Sequence, residues 1–130
     1  MVCAVSVAVA ACASVLHRGE LPGPTLLVHN AGVAAVDLRV LQGVSVVGDT
    51  AGYALGTVFA GETACFSLES VNTPQWLTIK SIGVTLLTSS FIPTSHPAWG
   101  MELRGDPHTD VLALQPADER CKPGARHPAS

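Results

Sequence analysis

Apolar and polar residues alternate with a period of two over most of the chain. Val36, Leu38 and Val40 are separated by single charged residues, which is the pattern of a strand with one buried face. Similar short runs occur at residues 25–29, 53–59, 64–68, 76–80, 84–88, 99–104 and 111–114. No run after the sixteenth residue shows the 3.6-residue period of a helix, so the pattern predicts about seven short strands.

Turn signals separate these runs. The tripeptides at 30–32 and 72–74 combine Asn with Gly or Pro, and Gly61 lies at the centre of a tight hairpin turn. Short strands joined in this way favour an all-β, antiparallel β-sandwich over residues 25–115, with an open barrel as the alternative. In the run at 64–68, alternation places Ala64, Phe66 and Leu68 towards the core and Cys65 on the opposite face.

The first sixteen residues form an uncharged apolar run that predicts a leader. The run includes Val9, Ala10, Ala11 and Cys12, which resembles the cleavage site of a bacterial lipoprotein signal. The resemblance implies that Cys12 becomes the lipidated first residue of a protein exported to the periplasmic side of a membrane. Residues 17–24, rich in Gly and Pro, would then be a linker.

Two other interpretations of the leader stay open. A secretory leader normally begins with Lys or Arg, and none precedes Cys12. The alternating valines of this run also fit a buried strand, and the run could equally remain as an uncleaved anchor. At less than the roughly 20 residues that span a bilayer, it does not predict a transmembrane helix.

Composition narrows the class of partner. Charged residues make up only 13% of the 130 residues, against about 25% in an average protein. The formal net charge of −3 disfavours nucleic-acid binding. A single domain with so few charges suits a protein that covers part of its surface with a membrane or a partner.

The four cysteines divide by position into two pairs. Cys3 and Cys12 lie in the leader, and Cys65 and Cys121 in the body and tail. Cleavage before Cys12 would leave Cys65 and Cys121 as candidates for a disulfide in an oxidising compartment. The alternative is a half-buried Cys65 and a free Cys121. The sequence has no zinc-type or haem-type cysteine spacing.

No motif predicts catalysis, a metal or a cofactor. Asp106, His108 and Asp110 share one loop and could hold a divalent metal or position a base, but Asp and Pro in such a loop also serve simply to shape a turn. Cys65 and His108 could form a thiol dyad only if the fold joined them. No serine lies in a nucleophile-elbow motif.

The remaining candidates are contact residues. The loop at 90–97 is longer and more apolar than a plain turn needs, and it contains Phe91, Ile92 and His96. Trp76 falls on the strand face opposite Leu77, and an outward Trp can anchor a partner, as could Trp99. Residues 116–130 carry prolines and glycine and predict an irregular C-terminal tail.

Residues 26–68 resemble small exported bacterial β-sandwich proteins. The similarity consists of Val28-His29-Asn30, the strand at 36–40, and the hairpin from Leu55 to Gly61. It implies an immunoglobulin-like domain of about seven strands with a lipidated N-terminus and no catalytic residues.

Three functions follow as expectations. The first is a non-enzymatic accessory subunit docked on an integral membrane protein complex, for example a photosynthetic reaction centre–light-harvesting or respiratory complex. The second is a free-standing envelope module that binds a small ligand, peptide or glycan in a pocket lined by Trp76 or Trp99. The third is a metal-dependent or thiol enzyme, which requires His108 and Asp110 to meet another ligand.

Overall fold

The computed structural model describes residues 22–42, 52–104 and 113–128. They form an all-β protein with two sheets, and a short 3-10 helix at Pro93–Ser95 lies between two strands. The strands are β1 (Thr25–Asn30), β2 (Val36–Leu41), β3 (Gly52–Val58), β4 (Thr63–Ser67), β5 (Trp76–Ser81), β6 (Val84–Leu87), β7 (Ala98–Leu103), β8 (Gln115–Pro116) and β9 (Arg126–His127). The first sheet has the order β8-β7-β1-β4-β9, and the second has the order β3-β2-β5-β6.

One apolar core lies between the sheets. The alternating rows predicted on β2, β4, β5 and β7 all face it, and the connection after β4 adds Leu68. Its members are Leu26, Val28, Val36, Leu38, Val40, Val58, Ala64, Phe66, Leu68, Leu77, Ile79, Phe91, Trp99, Met101, Leu103 and Leu114. The prediction of a β-sandwich is therefore confirmed.

The strand order differs from the immunoglobulin-like arrangement implied by the resemblance. In constant-type immunoglobulin domains the first two strands are neighbours in one sheet. Here β1 lies between β4 and β7, antiparallel to the first and parallel to the second. β2 belongs to the other sheet, between β3 and β5. The immunoglobulin order and the wholly antiparallel pairing are thus wrong for the described strands.

A β-bulge changes the alternation in β3. The pairing register with β2 shifts between Leu38 and Arg39, so that one additional residue is inserted in β3. As a result Val58 is fully buried, whereas Phe59 is 60% exposed. Gly56 has a φ of +145°, and a Cβ atom there would lie 3.3 Å from the Phe66 ring, so the bulge requires glycine.

Residues 113–128, which we call the strap, cross the outer face of the first sheet from one edge to the other. β8 pairs with β7 at one edge, and β9 pairs with β4 at the other. Between them the Cys121 N–H donates to Thr25 Oγ1 at 3.2 Å, and the Arg120 guanidinium donates to the Gly23 carbonyl. The tail predicted to be irregular therefore contains two short edge strands, where Pro116 is tolerated.

A disulfide between Cys65 and Cys121 fastens the middle of the strap, with the two Cα atoms 6.0 Å apart. Cys65 points away from the core, as the alternation predicts, yet it is 2% exposed. It is buried because the strap lies over it: Gly124 N–H donates to the Cys65 carbonyl, and the Cys65 N–H donates to Ala125 O. As part of this bridge Cys65 has no free thiol for a dyad with His108.

Several predictions concern residues outside the described ranges. These are the leader with Cys3 and Cys12, most of the linker, and the Asp106, His108 and Asp110 loop. The strand predicted at 111–114 lies partly outside them. Its described residues, Ala113 and Leu114, precede the observed strand β8.

Candidate docking site

The sandwich has two distinct ends. At the entry end, where the chain enters β1, lie Gly23, Trp76 and the loop with Ile92 and His96. At the distal end β1 and β7 finish and β2 begins. Of the six large apolar residues that are exposed in the described part of the chain, three lie at the distal end: Val33, Phe59 and Ile82.

A cavity of about 170 Å³ opens at the distal end. Its apolar wall comes from both sheets and from the β1–β2 connection. The aliphatic lining residues are Val33, Ala34, Val36, Ile79, Ile82, Val84, Leu86 and Leu103, and the only charged residue among the described lining residues is Arg104. Val36, Ile79 and Leu103 are buried, so they form the floor of the cavity.

Val33 and Ile82 form the rim of this cavity. Their exposed fractions are 94% and 85%, values that leave almost the whole side chain in water. Burying either against a partner would recover roughly 1.5–3 kcal/mol per side chain. Exposed aliphatic residues around an apolar recess are the arrangement that interaction sites use.

The rim residue Ile82 also has an unfavourable backbone conformation. Ile82 and Gly83 form the two-residue turn between β5 and β6, with φ values of +20° and +75°. Turns of this kind prefer Asn-Gly because the first position also needs a positive φ. A β-branched residue there is strained, and nothing in the fold gains from its exposed side chain. An interaction with another molecule would explain the residue.

Asn30 fixes the other side of the rim. Its amide nitrogen donates to Ala34 O at 2.9 Å and to Val58 O at 3.0 Å, and its carbonyl oxygen accepts from Gly32 N–H at 3.0 Å. The residue is 1% exposed. These three bonds tie the β1–β2 connection, which carries Val33, to the end of β3.

An ion pair joins the strap to the distal end. Arg126 Nη1 lies 2.8 Å from Glu62 Oε1, which also accepts the Phe59 N–H at 2.9 Å. The Phe59 N–H, together with the Arg126 guanidinium, holds the pKa of Glu62 below its usual value, although burial acts in the opposite direction. Near the entry end, burial raises the pKa of Tyr53, whose hydroxyl accepts the Glu69 N–H.

We expect Glu62→Gln to destabilise the protein at neutral pH by about 1 kcal/mol, since Arg126 is partly exposed. Because the folded-state pKa of Glu62 is lowered, its stabilisation is present above the unfolded pKa of about 4.3 and is lost as the pH falls through the folded value. Urea unfolding should show that the free energies of unfolding of wild type and variant differ less at pH 3 than at pH 7. Glu102→Gln is the control, because it removes the same charge beside the exposed Arg104, and it should lower the free energy of unfolding by less at pH 7. A Glu62→Gln effect that is larger at pH 3 than at pH 7 would contradict this account.

The structure removes two of the predicted contact residues from the surface. Phe91 and Trp99 are 6% exposed and pack edge to face with ring centroids 5.4 Å apart. The Trp99 indole N–H donates to Pro93 O at 3.1 Å, so its polar atom is satisfied inside the fold. Both residues are part of the core because the 90–97 loop folds back over the start of β7.

The other predicted contact residues lie at the entry end. His96 is exposed, and its ring stacks edge-on against Trp99 with centroids 5.0 Å apart. Ile92 is 38% exposed, and Trp76 is half-buried beside Leu41 on the outer face of the second sheet. None of the five residues lines the distal cavity, whose wall is aliphatic.

Sequence reasoning missed the distal rim. Val33 stands in a turn, and Ile82 in a short interval between two runs, where the alternating pattern gives no orientation. One signal was present: Ser81-Ile82-Gly83-Val84 carries Ile where a two-residue hairpin turn favours Asn.

Within the described part of the chain, no three His, Cys, Asp or Glu side chains are arranged to hold a metal ion. No helix in the same residues is long and apolar enough to cross a membrane. Comparisons with protein-family models, curated proteins and solved structures find no match. The geometry of the two ends is therefore the basis for inferring function.

Proposed function

We propose that this chain is a non-enzymatic accessory subunit that docks through its distal end on an integral membrane protein assembly. The observation that carries the proposal is the rim of Val33 and Ile82, almost fully exposed around an apolar cavity. A buried anchor surrounded by contacts that exclude water is the usual centre of a protein interface.

The size of the cavity favours a protein partner over a free small ligand. Sites for drug-sized ligands usually measure about 300–1,000 Å³, whereas this cavity measures about 170 Å³. An apolar cavity of about 150 Å³ accommodates a benzene molecule, so this one suits a single aromatic or aliphatic side chain. The envelope module for a small ligand or glycan is therefore the second candidate.

The proposed location is the periplasmic side of a bacterial membrane, with lipidated Cys12 as the anchor. The Cys65–Cys121 bridge supports it, since structural disulfides persist in oxidising compartments. A linker over residues 17–24 would reach about 25 Å when extended and joins the sandwich at the entry end. The anchor would then hold the entry end near the membrane surface, and the linker would let the distal end reach the periplasmic part of the partner.

Ile82→Asn separates docking from stability. The variant creates an Asn-Gly turn, so we expect the free energy of unfolding to rise by about 1 kcal/mol as backbone strain is relieved. It also removes an exposed apolar rim residue, so we expect docking to weaken about tenfold, the equivalent of about 1.4 kcal/mol. Urea unfolding measures the first effect, and co-purification of the full chain with detergent-solubilised membrane complexes measures the second.

Ile92→Asn is the matched control, because it removes an exposed isoleucine from the entry end. Docking that is lost with Ile92→Asn and kept with Ile82→Asn would reject the distal site in favour of the 90–97 loop. Intact mass of the mature chain tests the location separately, since it reports cleavage before Cys12, acylation and the oxidation state of the cysteines. A mature chain that begins upstream of Cys12 without a lipid would reject the lipid anchor.

A further inference from the structure

The free edge of β6 borders the distal cavity. β6 is the last strand of the second sheet and pairs only with β5 among the described strands. Its inward residues, Val84 and Leu86, line the cavity, while Thr85 and Leu87 point outwards and are exposed. Cavity and strand edge are therefore one continuous surface.

The hydrogen-bonding pattern identifies which backbone groups are free. Ser81 and Val84 flank the two-residue turn and exchange both ladder bonds, as such hairpins require. Hydrogen-bonded and non-hydrogen-bonded residue pairs alternate along an antiparallel ladder. The Thr88 N–H donates to Leu77 O at 3.0 Å, which is the position that this alternation predicts for a hydrogen-bonded pair. The N–H and C=O groups of Thr85 and Leu87 consequently point away from β5.

The other edges of the two described sheets carry features that block pairing with another chain. β8 and β9 are two-residue strands that contain Pro116 and Arg126. β3 is bulged, and Arg126 Nη1 donates to its Thr57 carbonyl at 2.9 Å. β6 has no proline, charge or bulge. Among the described residues, its short length is the only feature that protects it. Natural proteins rarely leave an edge so unprotected unless it is used.

Resting on the proposed docking function, we infer that β6 receives an extended segment of the partner as an additional strand. The inward side of that strand would lie beside Val84 and Leu86 and place one side chain of phenylalanine size in the cavity. Arg104 is the only charged residue among the described lining residues. It pairs with Glu102 at 3.2 Å but stays exposed, so it favours an acidic residue two positions from the anchor, on the same face of the added strand. The partner segment is thus an extended peptide with an aromatic or aliphatic anchor and a carboxylate two positions away, on the same face.

A synthetic probe tests this directly with the full chain. The probe is an acetylated, amidated peptide of sequence Thr-Val-Phe-Val-Asp-Thr, which places Phe and Asp on the same face of a strand. We expect it to slow hydrogen exchange of the Thr85 and Leu87 amides, and replacing its Phe by Ala should weaken binding about tenfold. The same peptide with N-methyl groups on alternate residues should not protect these amides. Equal binding of the N-methylated peptide, or protection confined to the entry end, would overturn the inference.

Thr85→Pro is the matching change in the protein. Proline removes an N–H that points away from β5, so the β5–β6 ladder is kept, while probe affinity should fall at least about tenfold. Thr85→Ala is the control and should bind normally. Leu87→Pro removes the second outward N–H and provides an independent variant if Thr85→Pro unfolds. Probe binding that survives both prolines in folded protein would overturn strand addition.

Two further outcomes distinguish this inference from the docking function. If Ile82→Asn weakens co-purification with the membrane complex while Thr85→Pro does not, docking stands and strand addition is wrong. In the second outcome, unlabelled protein is added to isotope-labelled protein without the probe. If hydrogen exchange of the Thr85 and Leu87 amides then slows as the concentration rises, the occupant of β6 is a second copy of this chain and the partner-segment inference is wrong.

Discussion

Replacing both Cys65 and Cys121 by Ala is expected to lower the free energy of unfolding by about 4 kcal/mol. The bridge joins residues 56 positions apart, and a loop of that size lies between the cases for which chain entropy predicts about 3 and about 4.7 kcal/mol. Guanidinium unfolding of the oxidised wild type and the double variant measures the difference. Wild type reduced with dithiothreitol is the control and should behave like the variant.

We also expect a local effect of the bridge, because the strap has few other attachments. Leu114 is its only buried apolar side chain among the described residues. Its other attachments are backbone hydrogen bonds, the Arg120 contact with Gly23 and the Arg126–Glu62 pair. We therefore expect amide exchange at Cys65 and Gly124 to accelerate before the core unfolds. A loss below about 1 kcal/mol, or unchanged exchange at these amides, would show that the strap is held without the bridge.

Asn30→Ala is expected to lower the free energy of unfolding by about 3 kcal/mol. Its side-chain amide donates to two carbonyl groups and accepts one backbone N–H. A buried polar group left without a partner costs about 1–3 kcal/mol, and less where water can enter. Urea unfolding gives the magnitude. Exchange of the Gly32 amide should also accelerate, because its acceptor is lost.

Asn72→Ala provides the matched control, since Asn72 also occupies a predicted turn but is exposed. It should change stability by less than about 0.5 kcal/mol. Similar losses in the two variants would mean that Asn30 acts only through turn propensity. Asn30→Ala should also weaken docking at the distal end, because the connection that carries Val33 loses its attachment to β3.

The alternation of apolar residues was sufficient to predict the layers but not their connections. The rows on β2, β4, β5 and β7 were predictable because burial of one face imposes a period of two on each strand. Partner choice has no such local signal. Nothing in Thr25–Asn30 indicates that β1 runs parallel to β7. Nor does it indicate that β1 and β2 lie in different sheets, which is where the strand order departs from the constant-type immunoglobulin order.

The contact residues show the same limit. Phe91 and Trp99 have the composition of an interface, and only the fold shows that they pack against each other inside the molecule. The rim was missed for the opposite reason: Val33 and Ile82 lie in turns, whose orientation depends on the strands beside them. The Cys65–Cys121 bridge was among the predictions, but the strands of the strap were not, because two-residue strands have no periodic signal and prolines and glycine favour irregular structure.

The central position of β1 has a consequence for biogenesis. β1 is formed from the earliest part of the body, yet both of its neighbours come later, and β7 is almost the last strand to be synthesised among those described. Closing so long a loop is slow, so the first sheet is completed late, after β7 has been synthesised. The second sheet, whose four strands all precede β7 in the chain, has its pairing partners available earlier.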